Sequence, residues 1–190
     1  QGAISFLVPN LAKNPYDLVV ADHLSHYTHG AVVEQLGAGL VLKSYEIFGK
    51  DLLIVGKPRH GDEGLSDRES MGSFLARQTI DRLIRNREEM RDLARRQDGS
   101  FGIFGTAIAA SWLSQEAADF DHFFVDEDNR KMGQIHLGKK VLSPSEIPHN
   151  SVVYLPFAES KARRMIERVR SVTSARFFIQ GNSDDEQALS

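Results

Sequence analysis

Short apolar runs closed by turn-forming residues alternate with helix-spaced stretches along most of this chain. Ala3-Ile4-Ser5-Phe6-Leu7-Val8 ends at Pro9-Asn10 and predicts a strand buried on both faces, of the kind found inside an α/β sheet. Leu18-Val19-Val20-Ala21 predicts a second strand, and positions 31–36 a short helix stopped by Gly37 and Gly39. Positions 41–47 and 51–55 then predict two strands around Phe48-Gly49-Lys50, a connection short enough for a hairpin.

A polar break, Arg59-His60-Gly61-Asp62-Glu63-Gly64, reads as a link between two halves. Beyond it, Ser66-Asp67-Arg68-Glu69 fits a capping box. Ile80, Leu83, Ile84, Met90, Leu93 and Ala94 hold a helical apolar spacing almost to Asp98-Gly99. Arg82, Arg85, Arg87 and Arg91 alternate with Asp81, Glu88, Glu89 and Asp92 on this helix, the pattern of a solvated, ion-paired face rather than a nucleic-acid surface. Thereafter Phe101-Gly102-Ile103-Phe104, His122-Phe123-Phe124-Val125, Val152-Val153-Tyr154-Leu155 and Arg176-Phe177-Phe178-Ile179 predict strands. Helices are predicted over 107–115 and 161–172, the latter with Ala162, Met165, Ile166 and Val169 inward. Such alternation predicts an α/β domain with a Rossmann-like parallel sheet and flanking helices over 65–180, followed by a polar, disordered tail at 181–190.

Composition narrows the function classes. The 190 residues carry a formal net charge of -3, which gives no reason to expect nucleic acid or an anionic membrane as partner. Cysteine is absent, so disulfides, thiolate zinc sites and a cysteine nucleophile are excluded together. No stretch approaches the ~20 apolar residues of a membrane span, and no signal peptide is visible; a soluble, cytoplasmic protein is expected. The chain opens at Gln1 directly into a strand, which reads as a start inside a larger protein.

Two places carry candidate chemistry. Phe104-Gly105-Thr106-Ala107 sits where a strand turns into a helix, and Asp126 follows Gly105 by 21 positions at the end of the next strand. Small residues at such a turn let a ligand approach the helix N-terminus, and a carboxylate at this distance can accept ribose hydroxyl hydrogen bonds. The glycine pattern is broken, since Gly102 and Gly105 are three apart and Ile108 stands where a third glycine is expected. That disfavours a nicotinamide oxidoreductase. The run Asp126-Glu127-Asp128-Asn129-Arg130-Lys131-Met132-Gly133 predicts a polar lip over the carboxyl edge of the sheet.

In the first half, His23, His26 and His29 recur every three residues. Three histidines could form a His₃ zinc site, but Asp22 and Tyr27 are interleaved and the segment need not be helical; no metal is expected. Asp22 and His23 instead form a polar pair after the predicted strand. A carboxylate that accepts the imidazole proton fixes its tautomer and raises its basicity, which suits a general base near neutral pH.

Asn14-Pro15-Tyr16-Asp17 leading into Ala21-Asp22-His23-Leu24-Ser25-His26-Tyr27 resembles a segment of S-adenosylmethionine-dependent sugar C-methyltransferases. The second half is similar to the C-terminal domain of that family through Phe104-Gly105-Thr106-Ala107, Phe124-Val125-Asp126-Glu127, Lys131-Met132-Gly133, Leu142-Ser143-Pro144 and Tyr154-Leu155-Pro156-Phe157. The order and spacing of these motifs span roughly positions 2–179. The resemblance implies that 1–60 is the end of a methyltransferase domain, contributing the last strands of its sheet, and that 65–180 is the C-terminal Rossmann-like domain. It implies methyl transfer to a carbon beside the keto group of a nucleotide-linked deoxysugar, with His23 as base and Asp22 as its partner. Tyr27, His26, Gly105, Thr106 and Asp126 would then contact substrate.

The chain departs from the family at Val20, where members often carry tyrosine. The acidic-Gly-x-Gly-x-Gly loop that receives the methyl donor has no counterpart in the 190 residues, nor has the cysteine-rich zinc module. This chain by itself is therefore expected to bind S-adenosylmethionine weakly or not at all and not to turn over. A stand-alone nucleotide or nucleotide-sugar binding module is the alternative reading. Unpaired apolar strand edges in the first half predict dimerisation or strand swapping.

Overall fold

The computed structural model describes residues 3–11, 15–20, 32, 39–48, 51–58 and 71–181. The chain divides into two compact units, Gln1–Leu83 and Ile84–Ser190. It is a mixed α/β protein whose larger, six-stranded sheet is mostly parallel.

The first unit is built on a three-stranded antiparallel sheet. Its strands are β1 (Ile4–Pro9), β2 (Leu40–Phe48) and β3 (Asp51–Pro58), ordered β1-β3-β2. The expected hairpin is present, with Phe48 opposite Asp51 and a register shift between Leu42 and Ser44. Period-two alternation along β3 buries Leu52 and Ile54, which cluster with Val32 and with the partly buried Val8.

Two expectations are corrected here. β1 is not buried on both faces: it pairs only with β3 among the described residues, and Leu7 is 62% exposed. The strand expected over 18–21 is not formed at its described residues, Leu18, Val19 and Val20. Pro15–Val19 is instead a 3₁₀ helix, because Pro15 presets φ near the helical value and starts a turn that the following apolar residues continue. Of the helix expected over 31–36, only Val32 lies within the described residues, and it is helical. The capping box at 66–69 and the tail beyond Gly181 lie outside them.

Helix α1 (Met71–Arg96) crosses the boundary between the units. Among its described side chains the buried ones are Thr79, Leu83, Asn86, Met90 and Leu93, a stripe at intervals of three and four. Ile80 and Ile84, expected inward, are 45% and 39% exposed. The polar Asn86 holds a place in the stripe because its side chain makes a hydrogen bond that isoleucine cannot. Asn86 donates to Gln180 Oε1 at 3.0 Å, and its carbonyl accepts from the Tyr154 hydroxyl at 3.3 Å.

The second unit carries β4 (Phe101–Phe104), β5 (His122–Val125), β6 (Ile135–His136), β7 (Lys139–Leu142), β8 (Val152–Leu155) and β9 (Arg176–Ile179), in the order β6-β7-β5-β4-β8-β9. All neighbours are parallel except β6 and β7, which form an antiparallel hairpin about Leu137 and Gly138. Helix α2 (Ile108–Glu116) joins β4 to β5, and α3 (Glu159–Val169) joins β8 to β9.

Each strand offers alternate residues to opposite faces. Phe104, Val125, Val153, Leu155, Phe177 and Ile179 pack with Ala162, Met165, Ile166 and Val169 of α3. On the other face His122 bonds to Ser114 of α2, and Tyr154 donates to Glu89 of α1 at 2.8 Å. Burial on both sides explains why these strands read as unbroken apolar runs.

Candidate functional site

The order of the parallel strands reverses at β4: chain progress runs outward through β5 and β7 on one side, and through β8 and β9 on the other. In open α/β sheets, ligands bind outside the carboxyl ends of the strands at such a switch point. Gly105 stands there with φ +91°, in the left-handed region that favours glycine, and its N–H donates to the Val125 carbonyl at 2.6 Å. That bond ties the turn after β4 to the end of β5. Helix α2 begins three residues later, at Ile108, and its N-cap Ala107 supplies no side-chain hydrogen bond to the first turn.

The hydroxyl of Thr106 points to the neighbouring strand end and donates to Asp126 Oδ2 at 3.0 Å. Lys131 Nζ donates to the same oxygen at 3.1 Å, and the Asp128 N–H to Asp126 Oδ1 at 3.0 Å. The residue is only 8% exposed. A carboxylate has about four acceptor positions, so Oδ2 is filled and Oδ1 keeps one for an incoming hydroxyl. Behind this group the lip folds on itself. Asp128 takes two hydrogen bonds from the Arg130 guanidinium, which with the Arg130 N–H holds its carboxyl down to about 2.

His136 is joined to the first turn of α2 through Nε2, 2.8 Å from the Ser111 hydroxyl. That hydroxyl also lies 3.1 Å from the Ala107 carbonyl, which can only accept. The serine proton therefore goes to the carbonyl and Nε2 carries the imidazole proton, leaving Nδ1 as an acceptor. Burial first, and then the Lys131 charge, lower the pKa of His136, against a smaller opposing pull from Asp126. The ring is thus neutral at pH 7. It stacks edge-on against Phe124 with centroids 4.8 Å apart.

On the β8 side of the switch point the surroundings are apolar. Phe157, two residues past β8, lies 3.1 Å from where a Cβ at position 105 would stand, and meets Phe104 edge-on at 6.3 Å. Lys161 Nζ sits 4.3 Å above the centre of the Phe157 ring. Glu127 and Arg168 form a two-pronged pair, at 3.0 and 2.6 Å, between the end of β5 and α3.

The structure brings Gly105, Thr106 and Asp126 together, as their sequence spacing anticipated. Gly102 plays no part there: it lies within β4 opposite Phe123, where close packing requires a residue without a side chain. Asp22, His23, His26, His29 and Tyr27 lie outside the described residues. Among those that are described, no group of three or more His, Asp or Glu is placed to hold a metal ion.

Sequence reasoning missed Ser111, His136, Phe157 and Lys161 as neighbours of this site, and Lys131 as the partner of Asp126. Lys131 and Phe157 stood inside matching motifs without a role; His136 lies on a two-residue strand too short to leave a periodic signal. A cleft of about 610 Å³ opens at the other edge, among Asp98, Ser100, Asp121, His122 and Lys139 at the strands' amino ends. That is the edge where parallel sheets do not present ligand-binding loops.

No family model matches the chain, and no curated protein matches it. The described strands of the first unit are all antiparallel and offer no glycine turn from a parallel strand into a helix, so the described residues of that unit do not form a cradle for S-adenosylmethionine.

Proposed function

We propose that the second unit is a Rossmann-like domain that binds a nucleotide-linked sugar at the carboxyl ends of β4 and β5. The chain would be the C-terminal part of a sugar C-methyltransferase. The observation that carries the binding reading is the Thr106–Asp126–Lys131 group beside the uncapped start of α2. It sets a carboxylate with one open acceptor position next to a lysine and to free backbone N–H groups, the pattern that suits a ribose hydroxyl adjoining phosphate. The strand order supports the Rossmann-like reading: numbered among themselves, the parallel strands run 3-2-1-4-5.

The methyltransferase reading rests on the resemblance of the motifs. In it His23 takes a proton from the sugar carbon beside the keto group, and Asp22 stabilises the imidazolium that results. Since the Thr106–Asp126–Lys131 group lies wholly within one unit, a binding module without catalysis is the second reading.

Calorimetric titration of the chain with nucleoside diphosphate sugars tests the binding. Saturable heat is expected, weakened about tenfold, or about 1.4 kcal/mol, by Lys131→Met; no heat with any of them would remove the proposal. For the catalytic part, His23→Asn in the full-length protein is expected to abolish methylation of a nucleotide-linked ketosugar. Normal turnover by that variant would leave the binding module standing alone.

A further inference from the structure

The two sides of the switch point are unequally open. Dinucleotides cross such a crevice, one nucleoside on each side of the point where strand order reverses. Here the Phe157 ring reaches from the end of β8 to the end of β4, its Cζ 3.1 Å from where a side chain on Gly105 would begin. The ring is anchored from three directions. It packs against the apolar cluster under α3, meets Phe104 edge-on, and carries Lys161 Nζ over its face. On the β5 side no such plug exists among the described residues: Thr106, Asp126 and Lys131 present polar groups there.

We infer that Phe157 closes the β8 side of the crevice and limits the site to a single nucleotide with its attached group, excluding dinucleotides. This deepens the binding reading above and rests on it. Gly105 is needed for the closure as well as for its backbone angle, because any Cβ there would press on the ring. The excluded ligands are those whose second nucleoside must pass over β8, whatever base they carry. A sugar diphosphate linked to one nucleoside needs only the β5 side.

The test compares ligands that differ only in this respect. The intact chain is titrated with ADP, GDP, UDP and dTDP. The tightest binder is then set against the symmetric dinucleoside diphosphate with the same base at both ends. The native chain is expected to favour the mononucleotide by about tenfold or more. In Phe157→Ala that ratio is expected to fall toward one. Phe157→Leu, which keeps most of the apolar contact but is too short to reach Gly105, should lower it too and guards against misfolding of the alanine variant. Equal binding of both ligands by the native chain, or an unchanged ratio in folded Phe157→Leu, overturns the inference while leaving nucleotide binding intact. Failure of all four nucleoside diphosphates and of nucleotide-sugars to bind overturns the reading beneath it as well.

Discussion

His122 shows how completely one side chain can be committed by its surroundings. It is buried in β5; Nδ1 faces the Phe120 carbonyl at 2.9 Å and Nε2 the Ser114 hydroxyl at 2.8 Å. The carbonyl can only accept, so Nδ1 carries the proton and Nε2 accepts from serine. A second proton would reverse the serine bond and place a charge in the core, and burial is the main reason its pKa is lowered. His136 is lowered too, again chiefly by burial. For both, the unfolded chain binds protons more readily than the folded one. Their contribution to stability is therefore intact above about pH 6.5, the ordinary histidine value, and is lost as pH falls below it. Urea midpoints measured at pH 7.5 and 5.5 should decline on acidification, and His122→Gln should flatten the slope. A midpoint that holds or rises at pH 5.5 contradicts the burial argument.

At the scale of elements, sequence and structure agree where burial is local and part where pairing is distant. The strands β4, β5, β8 and β9 were legible because both faces are covered, which selects unbroken apolar runs. The hairpin β6–β7 was not. Lys139 and Lys140 lie on an edge ladder with solvent beside it, and Leu137–Gly138 turns the chain with positive φ at both residues, so no apolar pattern announces it. Gly102 is a clearer case. Along the chain it belongs to a glycine pattern, whereas in the sheet its missing Cβ makes room for Phe123, whose Cε2 would lie 2.5 Å from it. Gly102→Ala should therefore cost about 1–3 kcal/mol of stability, read from denaturant unfolding. A loss of ligand affinity without a loss of stability would return Gly102 to the binding site.

For the whole molecule, the division into two units assigns the described chemistry to the second and the proposed base to the first. On the methyltransferase proposal, S-adenosylmethionine added to this chain should give no saturable heat; tight binding by the 190 residues would contradict the expectation that the donor loop has no counterpart in them. No helix among the described residues is long and apolar enough to cross a membrane.

The sequence alone determined the alternation of strands and helices in the second half, the glycine turn after β4 and the acidic residue 21 positions beyond it. Each of these depends on local burial or on the spacing of one strand-helix-strand unit, which the chain carries in its own order. Tertiary structure decided what stands around them: Lys131 and Thr106 on Asp126, His136 beside Ser111, and Phe157 across Gly105. Those contacts depend on the order in which strands pair and on which face each side chain meets. Both are long-range packing choices that no local pattern records.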